Sequence, residues 1–122
     1  MFYAGIDAHA QYLRVAVVDK NGSDVGGAII SVQDPGDIGK FLAQYRPVQV
    51  VVETCPFWPW LRDALKGPDI RFHLAHSREL RAIAQHAHKS DRLDAELLAR
   101  MLLTGLIPPA HAHAAAELSS FD

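Results

Sequence analysis

Cysteine is nearly absent: Cys55 is the only one in 122 residues, so no disulfide framework can form within the chain. No apolar run approaches the length needed to cross a bilayer. The segment 2–6 is too short for a secretory h-region and is closed by Asp7. An excess of one charge is also missing, with 12 bases against 14 acids, which argues against a free-standing electrostatic DNA binder. With 8 Gly and 7 Pro the chain is neither collagen-like nor a linker. What it does have is a 49% apolar content, enough for one core in one domain. These features predict a cytoplasmic α/β protein without a membrane segment.

The first half of the chain reads as strands. Apolar runs at 2–8 and 12–19 are joined by His9-Ala10-Gln11, short enough for antiparallel pairing. Asp19-Lys20-Asn21-Gly22 carries the Asn-Gly signal of a tight turn, and 25–32 follows as a third strand. Asp34-Pro35-Gly36-Asp37 offers N-cap chemistry, and Ile38, Phe41, Leu42 and Tyr45 recur at helical spacing, so 35–45 is expected to be an amphipathic helix. The nearly all-β-branched 48–53 reads as a strand buried on both faces. A short helix is expected at 58–65 and a fifth strand at 70–75. A further helix starts with Ser77 as its N-cap, a break falls near 86–90, and a last helix runs from about 91 to 104. The order βββ-α-β-α-β-α-α is that of an RNase H-like mixed five-stranded sheet, with three antiparallel strands, then crossover strands, and flanking helices. Residues 1–106 form the expected domain, and 107–122 a linker or truncated tail.

Most acids fall in turns, but four do not. Asp7 is near the end of an apolar strand, and Glu53 ends the Val-rich one. Asp91 and Asp94 are three apart at the expected start of the last helix and would share a face. That face continues through Ala95, Leu98, Met101 and Leu102, so the two acids extend an apolar stripe. Taken singly, each has an ordinary explanation: Asp91 as an N-cap with Asp94 at N3, Asp7 in a strand-end turn, Glu53 in an ion pair. Taken together, they are carboxylates brought close to one another, which desolvation and repulsion oppose unless a cation is present. Mg²⁺, or Mn²⁺ as its substitute, suits such hard oxygen ligands, and two ions roughly 3.5–4 Å apart can stabilise both the attacking and leaving oxygens of a phosphodiester.

Three stretches carry a family resemblance: Gly5-Ile6-Asp7-Ala8-His9, Val52-Glu53-Thr54, and Lys89-Ser90-Asp91-Arg92-Leu93-Asp94-Ala95 followed by Leu98-Ala99-Arg100. Over roughly residues 3–105 the chain resembles the N-terminal catalytic domain of DEDD transposases. These are the one-hundred-and-ten family of bacterial insertion sequences and their Piv-type DNA invertase relatives. The third stretch is the specific one; the Gly-Ile-Asp of the first is weak. The resemblance implies a RuvC-like, RNase H-type fold with Asp7, Glu53, Asp91 and Asp94 as catalytic, metal-binding acids. It further implies DNA as partner, an element-encoded guide RNA in some members, and a homo-oligomer for the full-length protein. Two departures leave the acids untouched: Ala10 stands where the family often has lysine, and Cys55-Pro56-Phe57 where its turn usually carries glycine. The family's C-terminal domain with a nucleophilic serine has no counterpart here, and Ser119 and Ser120 do not match its motif. The piece is therefore expected to bind metal yet cleave little by itself.

Between residues 71 and 90 the bases Arg71, Arg78, Arg81 and Lys89 face only Glu79. Such an excess beside a carboxylate cluster suits a phosphate backbone, though a solvated helix face has the same composition. His9, Arg78, Arg81, Lys89 and Arg92 are the candidate nucleic-acid contacts. His86-x-His88 and His111-x-His113 lack the spacing of a zinc site. Phe57, Trp58 and Trp60 crowd one proline-rich stretch, as core cover or as an exposed contact surface. The leading expectation is Mg-dependent phosphoryl transfer on DNA by a transposase or site-specific recombinase. A Holliday-junction resolvase-like nuclease and a catalytically silent assembly module of a recombinase are the alternatives.

Overall fold

The computed structural model describes residues 1–53, 58–65, 67–88 and 93–107. Strands β1 (Phe2–Ala8), β2 (Tyr12–Val18) and β3 (Asp24–Ser31) form an antiparallel meander. Helix α1 (Gly36–Leu42) leads through a 3₁₀ turn at Ala43–Tyr45 to β4 (Val48–Glu53). Then come α2 (Trp58–Ala64), β5 (Ile70–Ala75), α3 (Ser77–Ile83) with a π-helical turn at Ala84–His88, and α4 (Ala95–Leu103). The sheet order is β3-β2-β1-β4-β5, with β4 parallel to both β1 and β5. The expected mixed five-stranded sheet with flanking helices is therefore present.

Period-two side-chain alternation divides the sheet between two cores. Ala4 and Ile6 of β1, Leu13, Val15 and Val17 of β2, and Val48, Val50 and Val52 of β4 point to the side covered by Ile38 and Leu42 of α1 and Leu61 of α2. Val51 and Ala75 point to the other side, beneath Leu80 of α3 and Leu98, Met101 and Leu102 of α4. Helices on both faces explain why Val50, Val51 and Val52 are buried in succession along β4. Gly5, on the second face of β1, lets the α4 backbone descend onto the strand: a Cβ there would meet the carbonyl oxygen of Ala95 and lie 2.7 Å from Ala99 N.

The β2–β3 turn forms where Asn-Gly indicates it. Asp19 Oδ1 accepts from the backbone N–H groups of Asn21 at 2.9 Å and Ser23 at 3.0 Å, and Gly22 takes the positive φ of 83°. Several expected boundaries shift. The 35–45 segment divides into α1 and the 3₁₀ turn, and its N-cap is Pro35, with no side-chain cap. The α3 cap is His76 rather than Ser77. The largest correction concerns the last helix, which begins at Ala95 and not near 91. Asp94 is extended (φ −100°, ψ 172°), and its carboxylate accepts from Leu97 N, so the residue stands just outside the helix. Asp94 therefore stands outside the helix on which the shared face was expected, and Asp91, its expected partner on that face, lies outside the described residues. The apolar stripe beyond them is as expected, with Ala95, Leu98, Met101 and Leu102 all buried. Among the described residues no helix is long and apolar enough to cross a membrane.

Candidate functional site

Parallel pairing of β1 with β4 sets Ile6 beside Val52, so one further step along each strand reaches Asp7 and Glu53. Residues level with each other in adjacent parallel strands share a face. For this pair it is the face of Gly5 and Val51, which α4 covers. Asp94, capping α4, meets the same end of the sheet: Asp7 and Asp94 line one cavity of about 320 Å³ with His9, Tyr12, Arg14 and Glu96. The close seat of α4 on Gly5 is what brings its first turn down to the strand.

Neighbours restrain Asp7 and Asp94. Asp7, with its side chain 19% exposed, contacts His9 Nε2 through Oδ2 at 3.0 Å. The His9 ring stacks on Tyr12, with centroids 4.5 Å apart and planes 19° from parallel. Asp94 Oδ1 accepts from Leu97 N at 2.8 Å, which satisfies one of the open N–H groups of the first helical turn. Glu53 is half-buried at its strand end.

Two further charged residues belong to this cavity and escaped the sequence reading. Arg14 of β2 lies opposite Asp7 in the antiparallel register, and its Nη2 donates to Glu96 Oε2 on α4 at 2.8 Å. The hydrogen bond and charge of Glu96 raise the Arg14 pKa, with smaller contributions from Asp94 and Asp7. In return, the Arg14 guanidinium lowers the Glu96 pKa against the opposing effect of partial burial. The available signal was faint: Arg14 is the one cation in an otherwise apolar strand, and Glu96 follows Asp94 by two.

The structure thus sets Asp7 and Asp94 around one cavity, with His9 attached to Asp7, and leaves Glu53 at the end of the neighbouring strand outside that lining. Among the described residues, no three His, Cys, Asp or Glu side chains converge closely enough to hold a metal ion together. Asp91, Lys89 and Arg92 lie outside the described residues, as do Cys55, Phe57 and the side chain of Trp58. Trp60 is partly buried against the core, as a covering residue. Arg78 and Arg81 are exposed on α3, which leaves the sheet at the C-terminal end of β5, the end where Glu53 pairs with Ala75. No protein-family model matches the chain, and no curated protein matches it.

Proposed function

We propose that this chain is a metal-dependent phosphoryl-transfer domain of a DNA transposase or site-specific recombinase, with an RNase H-like (RuvC-like) fold. The observation that carries this reading is the placement of three acids from separate parts of the chain at one end of the sheet. Asp7 and Glu53 end neighbouring parallel strands on one face, and Asp94 caps the helix packed on that face and shares a cavity with Asp7. The Lys89–Ala95 motif supports the same reading and supplies Asp91 as the fourth acid.

The donor set suits a hard divalent cation in kind, because it is made of carboxylate oxygens with an imidazole at its edge. Asp7, Glu53, Asp91 and Asp94 would hold Mg²⁺, or Mn²⁺ in its place. When bound, such an ion offsets charge developing on a phosphodiester and lowers the pKa of an attacking hydroxyl or water. The chain's own residues prepare the place for it. β1 and β4 fix two carboxylates on a rigid sheet, Leu97 N orients the third, and His9 holds Oδ2 of Asp7. Acids anchored on regular elements stay positioned without a reorganisation cost at each turnover.

One observation favours a second reading, a catalytically silent assembly module. Arg14 already provides a positive charge beside Asp7 and Glu96, which reduces the repulsion that a cation would otherwise relieve. Calorimetric titration of Mn²⁺ into the chain and into Asp7→Asn and Glu53→Gln variants separates the two. The metal-site reading expects saturable binding that each variant weakens by about tenfold or more. Absence of saturable binding, or equal binding in all three proteins, overturns it in favour of the assembly module.

A further inference from the structure

We propose that Arg14 is a phosphate-binding residue, which takes a non-bridging oxygen of a nucleic-acid strand and is held in position for that contact by Glu96. The inference rests on the phosphoryl-transfer reading and names one residue through which the same site would grip its substrate.

Position is the first argument. Arg14 is cross-strand from Asp7, and directly opposed residues of antiparallel strands have Cβ atoms about 4.5–5.5 Å apart. A phosphate whose oxygen reached the carboxylate end of the sheet would therefore lie within reach of this side chain. Donor capacity is the second. A guanidinium has about five N–H donors in a fixed fork. The hydrogen bond to Glu96 uses Nη2 at 2.8 Å, and the side chain remains 47% exposed. Arginine held on one side by a carboxylate and open on the other is pre-organised to donate to an anion.

Shape is the third. Arg14 and Glu96 line the acidic cavity and also a neighbouring one of about 340 Å³, whose walls include Asp24, Gly26, Gly27 and Ile29. The two cavities therefore meet at the Arg14–Glu96 pair. Gly27, level with Ala16 on the face of Arg14, contributes no side chain to the second cavity, so a chain of nucleotides could run from the acids towards β3 past this pair.

Charge sets the condition for binding. Asp7, Asp94 and Glu96 outnumber Arg14 in the first cavity, so a phosphate is repelled until a divalent cation offsets the carboxylates. Arg14 should thus contribute to affinity when the cation is present and little when it is absent. The more ordinary role for the same geometry is a surface ion pair that ties β2 to α4 and contacts no ligand. Arg100 provides the comparison, since it ties α4 to β3 through Asp24 at 2.9 Å and lines neither cavity.

The test is fluorescence anisotropy of a labelled DNA oligonucleotide with the chain, in Ca²⁺ as a non-turnover cation and in EDTA, across a salt series. The variants are Arg14→Gln, Arg14→Lys and Arg100→Gln, each checked for folding by thermal melting. We expect Ca²⁺-dependent binding by the parent chain, and a loss of about tenfold in Arg14→Gln with the salt slope reduced by about 1. Arg14→Lys, which keeps the charge without the fork, should retain the slope with a smaller loss of affinity. Arg100→Gln should stay within about twofold of the parent. Equal affinity and slope in the parent and in folded Arg14→Gln or Arg14→Lys overturns the inference, as does absence of DNA binding by the parent. Manganese titration keeps the two readings apart. If Asp7→Asn leaves Mn²⁺ binding unchanged while Arg14→Gln loses DNA affinity, the metal-site reading falls and the Arg14 contact stands.

Discussion

At the scale of single residues, the site depends on Gly5 as much as on the acids. The strand can accept α4 at this distance only because no Cβ intervenes: a methyl group would come within 2.7 Å of Ala99 N and 2.8 Å of Leu98 Cβ. Gly5→Ala must push the helix away, and overpacking of this kind costs about 1–3 kcal/mol. Thermal melting should show that loss, and on the proposed metal-site reading Mn²⁺ affinity should fall with it, because Asp94 moves with the helix end. A methyl group at the open Gly36 meets nothing and serves as the control. Glu96 makes a pH prediction at the same scale. Its folded pKa is lowered, chiefly by the Arg14 hydrogen bond, from an ordinary 4.5. A carboxyl group depressed in the folded state contributes stability that is fully present above its unfolded pKa. That contribution is lost as pH falls from about 4.5 through the lower folded value. Denaturant midpoints of the parent and Glu96→Gln should therefore differ at pH 7 and converge at the acid end of that window. The pair is solvent-exposed, so the difference is small and shrinks further in high salt.

At the scale of one element, α4 joins stability to the site through its first residue outside the helix. Asp94 accepts from Leu97 N, and its charge favours the helix N-terminus. Asparagine keeps the acceptor oxygen but removes the charge, whereas alanine removes both. Asp94→Ala should cost about 1 kcal/mol of stability, and Asp94→Asn much less. If Asp94 also ligates a cation, both variants should lose Mn²⁺ affinity to a similar degree. Denaturation and calorimetry on the same two proteins thus separate capping from ligation. The buried stripe of Ala95, Leu98, Met101 and Leu102 holds the rest of the helix on the sheet, so cap variants fray its start rather than unseat it.

At the scale of the whole molecule, the sheet has a protected centre and two edge strands, β3 and β5. β1 is paired on both sides, by β2 and β4, and sits between the two cores. β3 ends the sheet with Ile29 at 68% exposure. Amide hydrogen exchange should then be slowest in β1 and β4, where opening requires global unfolding, and faster along β3. Equal protection in β3 and β1 would indicate that the β3 edge is covered in solution.

The strands and their order were legible because the signals for them are local. β1, β4 and β5 fall at the expected residues, since a Val-rich run and a Gly-Pro stop need no distant partner to be read. The Asn-Gly turn likewise fixed the meander. The start of the last helix was not legible in this way. Aspartate serves equally at an N-cap or in a first turn, and only the Leu97 N–H that reaches Asp94 decides which it is. Arg14 and Glu96 could not be paired from the sequence, because 82 positions separate them and they meet only when α4 crosses β2. The sequence by itself thus determined the element order, the two-faced burial of 48–53 and the candidate acids, all of which follow from side-chain periodicity and local turn chemistry. Tertiary structure alone decided that Gly5 seats a helix, that Asp94 reaches the cavity of Asp7, and that an arginine stands among the carboxylates. Those facts depend on which strand lies beside which and on how closely a helix packs, and neither is encoded at any single position of the chain.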